Sequence, residues 1–138
     1  MSWECPNCTA QNGGGIVCEQ CGYRRLVAIR ITSAAGKTFE TRIDFKIDRK
    51  IYKDIESEYQ YLPVTAGSYQ FQLLRDENSP SGWGIQTSPV SDLNTLLNDG
   101  ICQAGQVYPV YSGDVIKIGS RRNDGVTAAP LVVSFEGE

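Results

Sequence analysis

Tyr111-Ser112-Gly113-Asp114-Val115-Ile116-Lys117-Ile118-Gly119 is the stretch from which the fold can be read. A Gly-Asp pair stands directly before Ile116 and Ile118, which alternate with Lys117 in the period of a half-buried strand. Glycine permits the positive φ of a tight turn, and an aspartate beside it can accept hydrogen bonds from backbone amides in that turn. A turn followed by a strand is therefore expected here.

The same period recurs in both directions. Val27, Ile29 and Ile31 alternate with Ala28, Arg30 and Thr32, and Ala35-Gly36-Lys37 reads as a turn before Phe39, Thr41 and Ile43. Phe45 and Ile47 follow, then Tyr69, Phe71 and Leu73, and then Trp83 and Ile85 after the Ser79-Pro80-Ser81-Gly82 turn. Val107–Val110 and Leu131, Val133 and Phe135 complete the set. Many short strands between turn residues predict an all-β chain, an antiparallel sandwich or barrel. One helical candidate is Ser91–Leu97, where Leu93, Leu96 and Leu97 fall at i, i+3 and i+4 behind Asp92 as a cap.

With 138 residues and 41% hydrophobic content, the chain can hold one packed domain and a small satellite. Its net charge of −3 argues against sequence-independent nucleic-acid binding. No apolar run approaches the ~20 residues of a membrane span, and the first residues lack the pattern of a secretory signal. A cytoplasmic, reducing location is expected, where cysteine pairs favour metal over disulfides. Histidine is absent and no phosphate loop is present. Nothing in the composition points to an enzyme.

Cys5-x-x-Cys8 and Cys18-x-x-Cys21 are separated by nine residues. Each pair can form a knuckle offering two thiolates, and four sulfurs complete a tetrahedral zinc site with no position left for water. One structural Zn2+ held by Cys5, Cys8, Cys18 and Cys21 is the expectation; an iron–sulfur site or reduced thiols are the alternatives. Cys102 reads as a small buried or half-buried thiol.

Trp3-x-Cys5-x-x-Cys8-x-x-x-Asn12 with Cys18-x-x-Cys21 resembles the Ran-binding-protein (NZF) zinc finger over residues 1–23. The gap from Asn12 to Cys18 is one residue shorter than in that family, so a generic zinc ribbon is the other label. Ubiquitin-binding members carry Thr-Phe after the second cysteine; here Thr9 is followed by Ala10, which argues against ubiquitin. RNA-binding members stack bases on the tryptophan, a role open to Trp3. Glu4 and Glu19, however, offset Arg24 and Arg25.

The pattern from Gly113 to Gly119 resembles the "dGDvIxiG" strand of forkhead-associated (FHA) domains, and the resemblance extends over about residues 26–136. It implies an antiparallel β-sandwich whose loops at one end recognise phosphothreonine. Ile47-Asp48-Arg49 stands where such domains carry Ile-Gly-Arg, and Ser68-Tyr69-Gln70-Phe71 where they carry Ser-x-x-His. Ser91–Asn98 resembles "StNGTfvN". By that likeness Arg49 and Ser68 are candidate phosphate contacts. Asn94, one position displaced, and Asn98 are candidate amide contacts. Asp48 replaces the signature glycine, Phe71 the histidine, and Leu93 the aligned asparagine.

The reading that follows is a non-enzymatic adaptor with a structural zinc module (residues 1–23) and a degenerate FHA-like sandwich (residues 26–138). It binds signalling proteins of a Ser/Thr kinase/phosphatase system, with weak or lost phosphothreonine dependence. One alternative is a functional phosphothreonine reader through Arg49 and Ser68; another is single-stranded RNA binding through the finger.

Overall fold

The structure, a computed structural model, describes residues 2–13, 17–23, 27–57, 62, 68–91, 93–120 and 127–136. Arg24 and Arg25 of the inter-module stretch and Asp92, the expected helix cap, lie outside the described residues.

Two short strands, β1 (Trp3–Glu4) and β2 (Gln11–Asn12), pair antiparallel in the cysteine module. The rest of the chain forms β3 (Ile29–Ser33), β4 (Thr38–Thr41), β5 (Phe45–Ile47), a single-turn-scale helix α1 (Arg49–Asp54), β6 (Phe71–Arg75), β7 (Trp83–Thr87), β8 (Leu93–Leu97), β9 (Gly100–Ile101), β10 (Tyr108–Pro109), β11 (Val115–Ser120) and β12 (Thr127–Phe135). A four-stranded sheet runs β10-β7-β6-β5 and a six-stranded sheet runs β4-β3-β12-β11-β8-β9. Among the described residues every strand pair is antiparallel.

The alternation read in the sequence becomes the two inner faces. Ile29, Ile31, Ile116, Ile118, Leu131 and Val133 come from the larger sheet; Ile47, Phe71, Leu73, Trp83 and Ile85 come from the smaller. All belong to one buried cluster, so the chain folds as a β-sandwich with its core between the sheets. The indole N–H of Trp83 donates to the Val27 carbonyl at 2.9 Å, which satisfies its polar atom within the core.

The Gly113-Asp114 turn forms as expected. Gly113 has φ +89°, and the Asp114 carboxylate accepts the Tyr111 amide at 2.8 Å. Its other oxygen accepts the Asn98 side-chain amide at 2.9 Å, and Asn98 Oδ1 accepts the Val115 N–H at 2.9 Å. The turn is thereby tied to the end of β8, which enters β11 in register.

Three local expectations need correction. Leu93–Leu97 is a strand, not a helix, because it is paired on both sides, with β11 and β9. Its inward residues are Leu93, Thr95 and Leu97; the polar Thr95 hides the two-residue period, and the outward Leu96 imitates a helical one. The helix among the described residues lies elsewhere, at α1, where Asp48 is the N-cap and accepts the Ile51 amide at 3.1 Å. Finally, β4 ends at Thr41, and Ile43 is 67% exposed instead of continuing the buried face.

Candidate functional site

The cysteine module is built from two knuckles of the same design. In the first, the Thr9 amide donates to the Cys5 carbonyl at 2.8 Å and the Cys5 amide to the Ala10 carbonyl at 2.9 Å. In the second, the Gly22 amide donates to the Cys18 carbonyl at 2.9 Å and the Cys18 amide to the Tyr23 carbonyl at 2.7 Å. Buried Asn12 joins them: its side chain donates to the Ala10 carbonyl at 3.2 Å and accepts the Glu19 amide at 3.0 Å.

This frame brings the four sulfurs of Cys5, Cys8, Cys18 and Cys21 within 4.8 Å of one another. Cys5 and Cys21 are 3.7 Å apart at sulfur, and Cys8 and Cys18 are 3.5 Å apart. A tetrahedron with metal–sulfur bonds of about 2.3 Å has edges of about 3.8 Å, so the donor set fits a four-coordinate metal. The electrostatics agree with that fit. Cys18 is lowered to about 6, first by the Cys21 amide, which outweighs burial, with the Asn12 side chain adding to it. Cys21 is lowered chiefly by the Asn7 side-chain amide, 3.4 Å from its sulfur. Cys8 is pushed up to about 12: the Ala10 amide favours its thiolate, but burial and the three neighbouring thiols override it. Four thiols this close cannot all ionise unaided, and a cation at their centre removes that conflict.

The fourth residue after each leading cysteine has positive φ: Gly22 at +77° and Thr9 at +65°. Glycine adopts this region freely, whereas a β-branched residue does so at a cost of about 1–2 kcal/mol. Thr9→Gly is therefore expected to tighten the module by about 1 kcal/mol, less what is lost with the 2.6 Å bond from its hydroxyl to the Cys8 carbonyl. Slower metal transfer to a chromophoric chelator checks this, and faster transfer contradicts it.

The second candidate region is one end of the sandwich. Ile47 of β5 is opposite Phe71 of β6, so Arg49, first residue of α1, and Ser68, ahead of β6, leave that pair at the same end. Gln70, fully buried, links this end to the other sheet. Its Nε2 donates to Thr95 Oγ1 at 2.9 Å and to the Leu93 carbonyl at 3.2 Å, and its Oε1 accepts the Ser91 hydroxyl at 2.7 Å. Thr87 Oγ1 donates to Thr95 Oγ1 at 2.8 Å and closes the network. The start of β8, with Asn94, is thus held at the end that carries Arg49 and Ser68. Asn98 lies four residues further along the strand, roughly 13 Å away at ordinary strand rise, with its side chain committed to Asp114 and Val115.

No family model matches the chain, and no curated protein sequence matches it. A solved structure does. The solution structure of the FHA domain of an Arabidopsis thaliana hypothetical protein aligns over 94% of this chain and 96% of that one, with a TM-score of 0.60 and 17% identity. The fold is FHA-like.

Within this FHA-like sandwich the position expected to hold histidine is Phe71, fully buried and set edge-on to Tyr52 of α1, with ring centroids 6.4 Å apart. The cross-sheet hydrogen bonds at this end come from the neighbouring Gln70, a residue that sequence reasoning passed over. A fully buried glutamine is intelligible only once its partners Ser91, Leu93 and Thr95, at and before β8, are known. Asp48 has a local task too. Its carboxylate caps α1, and so it is directed at the helix N-terminus. Beside Asn94 is an open cleft of about 400 Å³, lined by Thr87, Asn94, Ile101, Cys102, Gln103 and Ala104. Cys102 is buried there, and burial raises its thiol pKa, which suits a packing thiol better than a reactive one. Among the described residues, no helix is long and apolar enough to cross a membrane.

Proposed function

We propose that this chain is a non-enzymatic protein-interaction adaptor in which an FHA-like sandwich presents one loop end to a partner protein and a structural zinc module flanks it. The observation that carries the reading is the FHA-like fold itself, aligned over nearly the whole of both chains. Zinc is the metal we assign to Cys5, Cys8, Cys18 and Cys21, since four thiolates at tetrahedral spacing suit it and leave no open coordination position. The Ran-binding-protein type of the finger belongs to the same proposal and rests on its sequence motif. So does the division into a module over residues 1–23 and a sandwich over residues 26–138.

Partners of a Ser/Thr kinase/phosphatase system in the cytoplasm follow from the FHA likeness. Phosphothreonine dependence is weak or lost in this reading. Arg49 supplies a forked donor suited to phosphate, and Ser68 a hydroxyl. Asp48 offers little opposition, because its carboxylate is used as a helix cap. The weakness lies in the peptide clamp: Leu93 stands in place of asparagine, and Asn94 is one position displaced. Ordering a flexible peptide costs free energy that one or two phosphate contacts barely offset.

Titrating phosphothreonine peptides and their unphosphorylated twins against the full chain by fluorescence anisotropy tests this. Little or no phosphate-dependent binding is expected. Partners captured from lysate should also be retained after phosphatase treatment. A low-micromolar, phosphate-dependent peptide lost on Arg49→Ala would instead establish the phosphothreonine reader.

A further inference from the structure

Three of the five lysines in the chain, Lys46, Lys50 and Lys53, fall within eight residues, with Arg49 among them. All three are exposed, on β5 and α1. The two lysines elsewhere are neutralised, Lys37 by Glu56 at 3.7 Å and Lys117 by Asp99 at 2.9 Å. Among the described residues no carboxylate pairs with Lys46, Lys50 or Lys53. The one carboxylate inside the run, Asp48, is directed into the helix start. Asp54 closes the helix, and Glu56 is taken by Lys37.

Their placement follows from the helix. Ile51, Tyr52 and Ile55 face the core, so Lys50 and Lys53, one turn apart, share the outer face. Lys46 is steadied by the Tyr69 ring, whose centroid lies 5.0 Å from its Nζ, and Tyr69 follows Ser68 directly. Like charges gathered on one eight-residue stretch, with no carboxylate paired to them among the described residues, raise one another's energy, and an anion seated on them lowers it. The helical part of the ridge, with Lys50 and Lys53, is short: six residues span about 9 Å. The rest of the molecule is acidic enough to leave the whole chain at −3. An extended polyanion such as a nucleic acid or a lipid surface would meet that surrounding negative charge, whereas a short acidic peptide segment would not.

We infer that Lys46, Lys50 and Lys53 form a docking ridge for an acidic segment of the partner protein, flanking whatever the adjacent loop end binds. This rests on the interaction-adaptor reading and adds the partner's chemistry to it.

The test uses the full chain and a fluorescent, unphosphorylated peptide of alternating glutamate and glycine. In low salt, Lys46→Glu/Lys50→Glu/Lys53→Glu should weaken binding about tenfold, since each screened pair contributes little alone. The control Lys37→Glu/Lys117→Glu should leave it unchanged, and about 0.5 M salt should abolish it. Carbodiimide coupling of peptide carboxylates to lysines, mapped by mass spectrometry, should label the three ridge lysines over Lys37 and Lys117. Circular dichroism establishes that both variants are folded. Equal affinity in the triple variant, evenly spread labelling, or binding to phosphatidylserine vesicles without peptide binding would each overturn the proposal. Arg49 is intact throughout, so loss of phosphate dependence leaves this result untouched. Failure of the ridge likewise leaves the adaptor reading standing.

Discussion

Cys18→Ser is expected to abolish metal retention and unfold the first 23 residues while the sandwich stays folded. Cys18 is 1% exposed, and its backbone makes both hydrogen bonds of the second knuckle. Among its described residues the module otherwise has only two two-residue strands and no apolar cluster of its own, so metal binding must supply most of its folding free energy, on the order of 10 kcal/mol. Serine offers a poor ligand to zinc at neutral pH, and three thiolates leave the site open. Elemental analysis of protein purified without a metal column should give near one zinc per wild-type chain and far less for the variant. Hydrogen exchange should show protection lost over residues 2–23 alone. Wild-type protein that is metal-free yet protected there would defeat the metal assignment. Loss of the cooperative unfolding of residues 27–136 in the variant would show that the module is part of the main core, and the proposed division at residues 23–26 would fail.

The second large effect concerns the loop end. Gln70→Leu should destabilise the sandwich by about 2–4 kcal/mol, because it preserves volume while leaving buried polar groups unpaired. The Ser91 hydroxyl loses its acceptor and the Leu93 carbonyl loses a donor; both lie where the strand carrying Asn94 begins. Thr95 keeps its bond from Thr87 and its contact with the Gln70 backbone, so the loss stops short of the whole network. Urea denaturation measures the total, and faster amide exchange over residues 88–95 locates it. A change below about 1 kcal/mol would mean that the two sheets are aligned at this end by apolar packing alone.

What the sequence by itself determined is what depends on local chemistry and short-range period. Gly113-Asp114 could be read as a turn because glycine tolerates its φ and the aspartate accepts from Tyr111, three residues away. Ile29, Ile31, Phe71, Leu73, Trp83, Ile85, Leu131 and Val133 declared the inner faces because apolar residues at every second position can be buried together only in a strand. The spacing of the four cysteines likewise carried the knuckles, since each closes within six residues.

Tertiary structure decided the rest. Leu93–Leu97 imitates a helix until β9 and β11 pair with it and Thr95 turns inward, a polar residue whose burial is stabilised only by partners from other strands. The capping role of Asp48 emerges only once the chain leaves β5 as a helix. Gln70 is an unremarked glutamine in the sequence and a cross-sheet tie in the fold. Long-range hydrogen bonds leave no periodic trace, because their free energy depends on which distant segments are brought within three ångströms, and folding alone settles that.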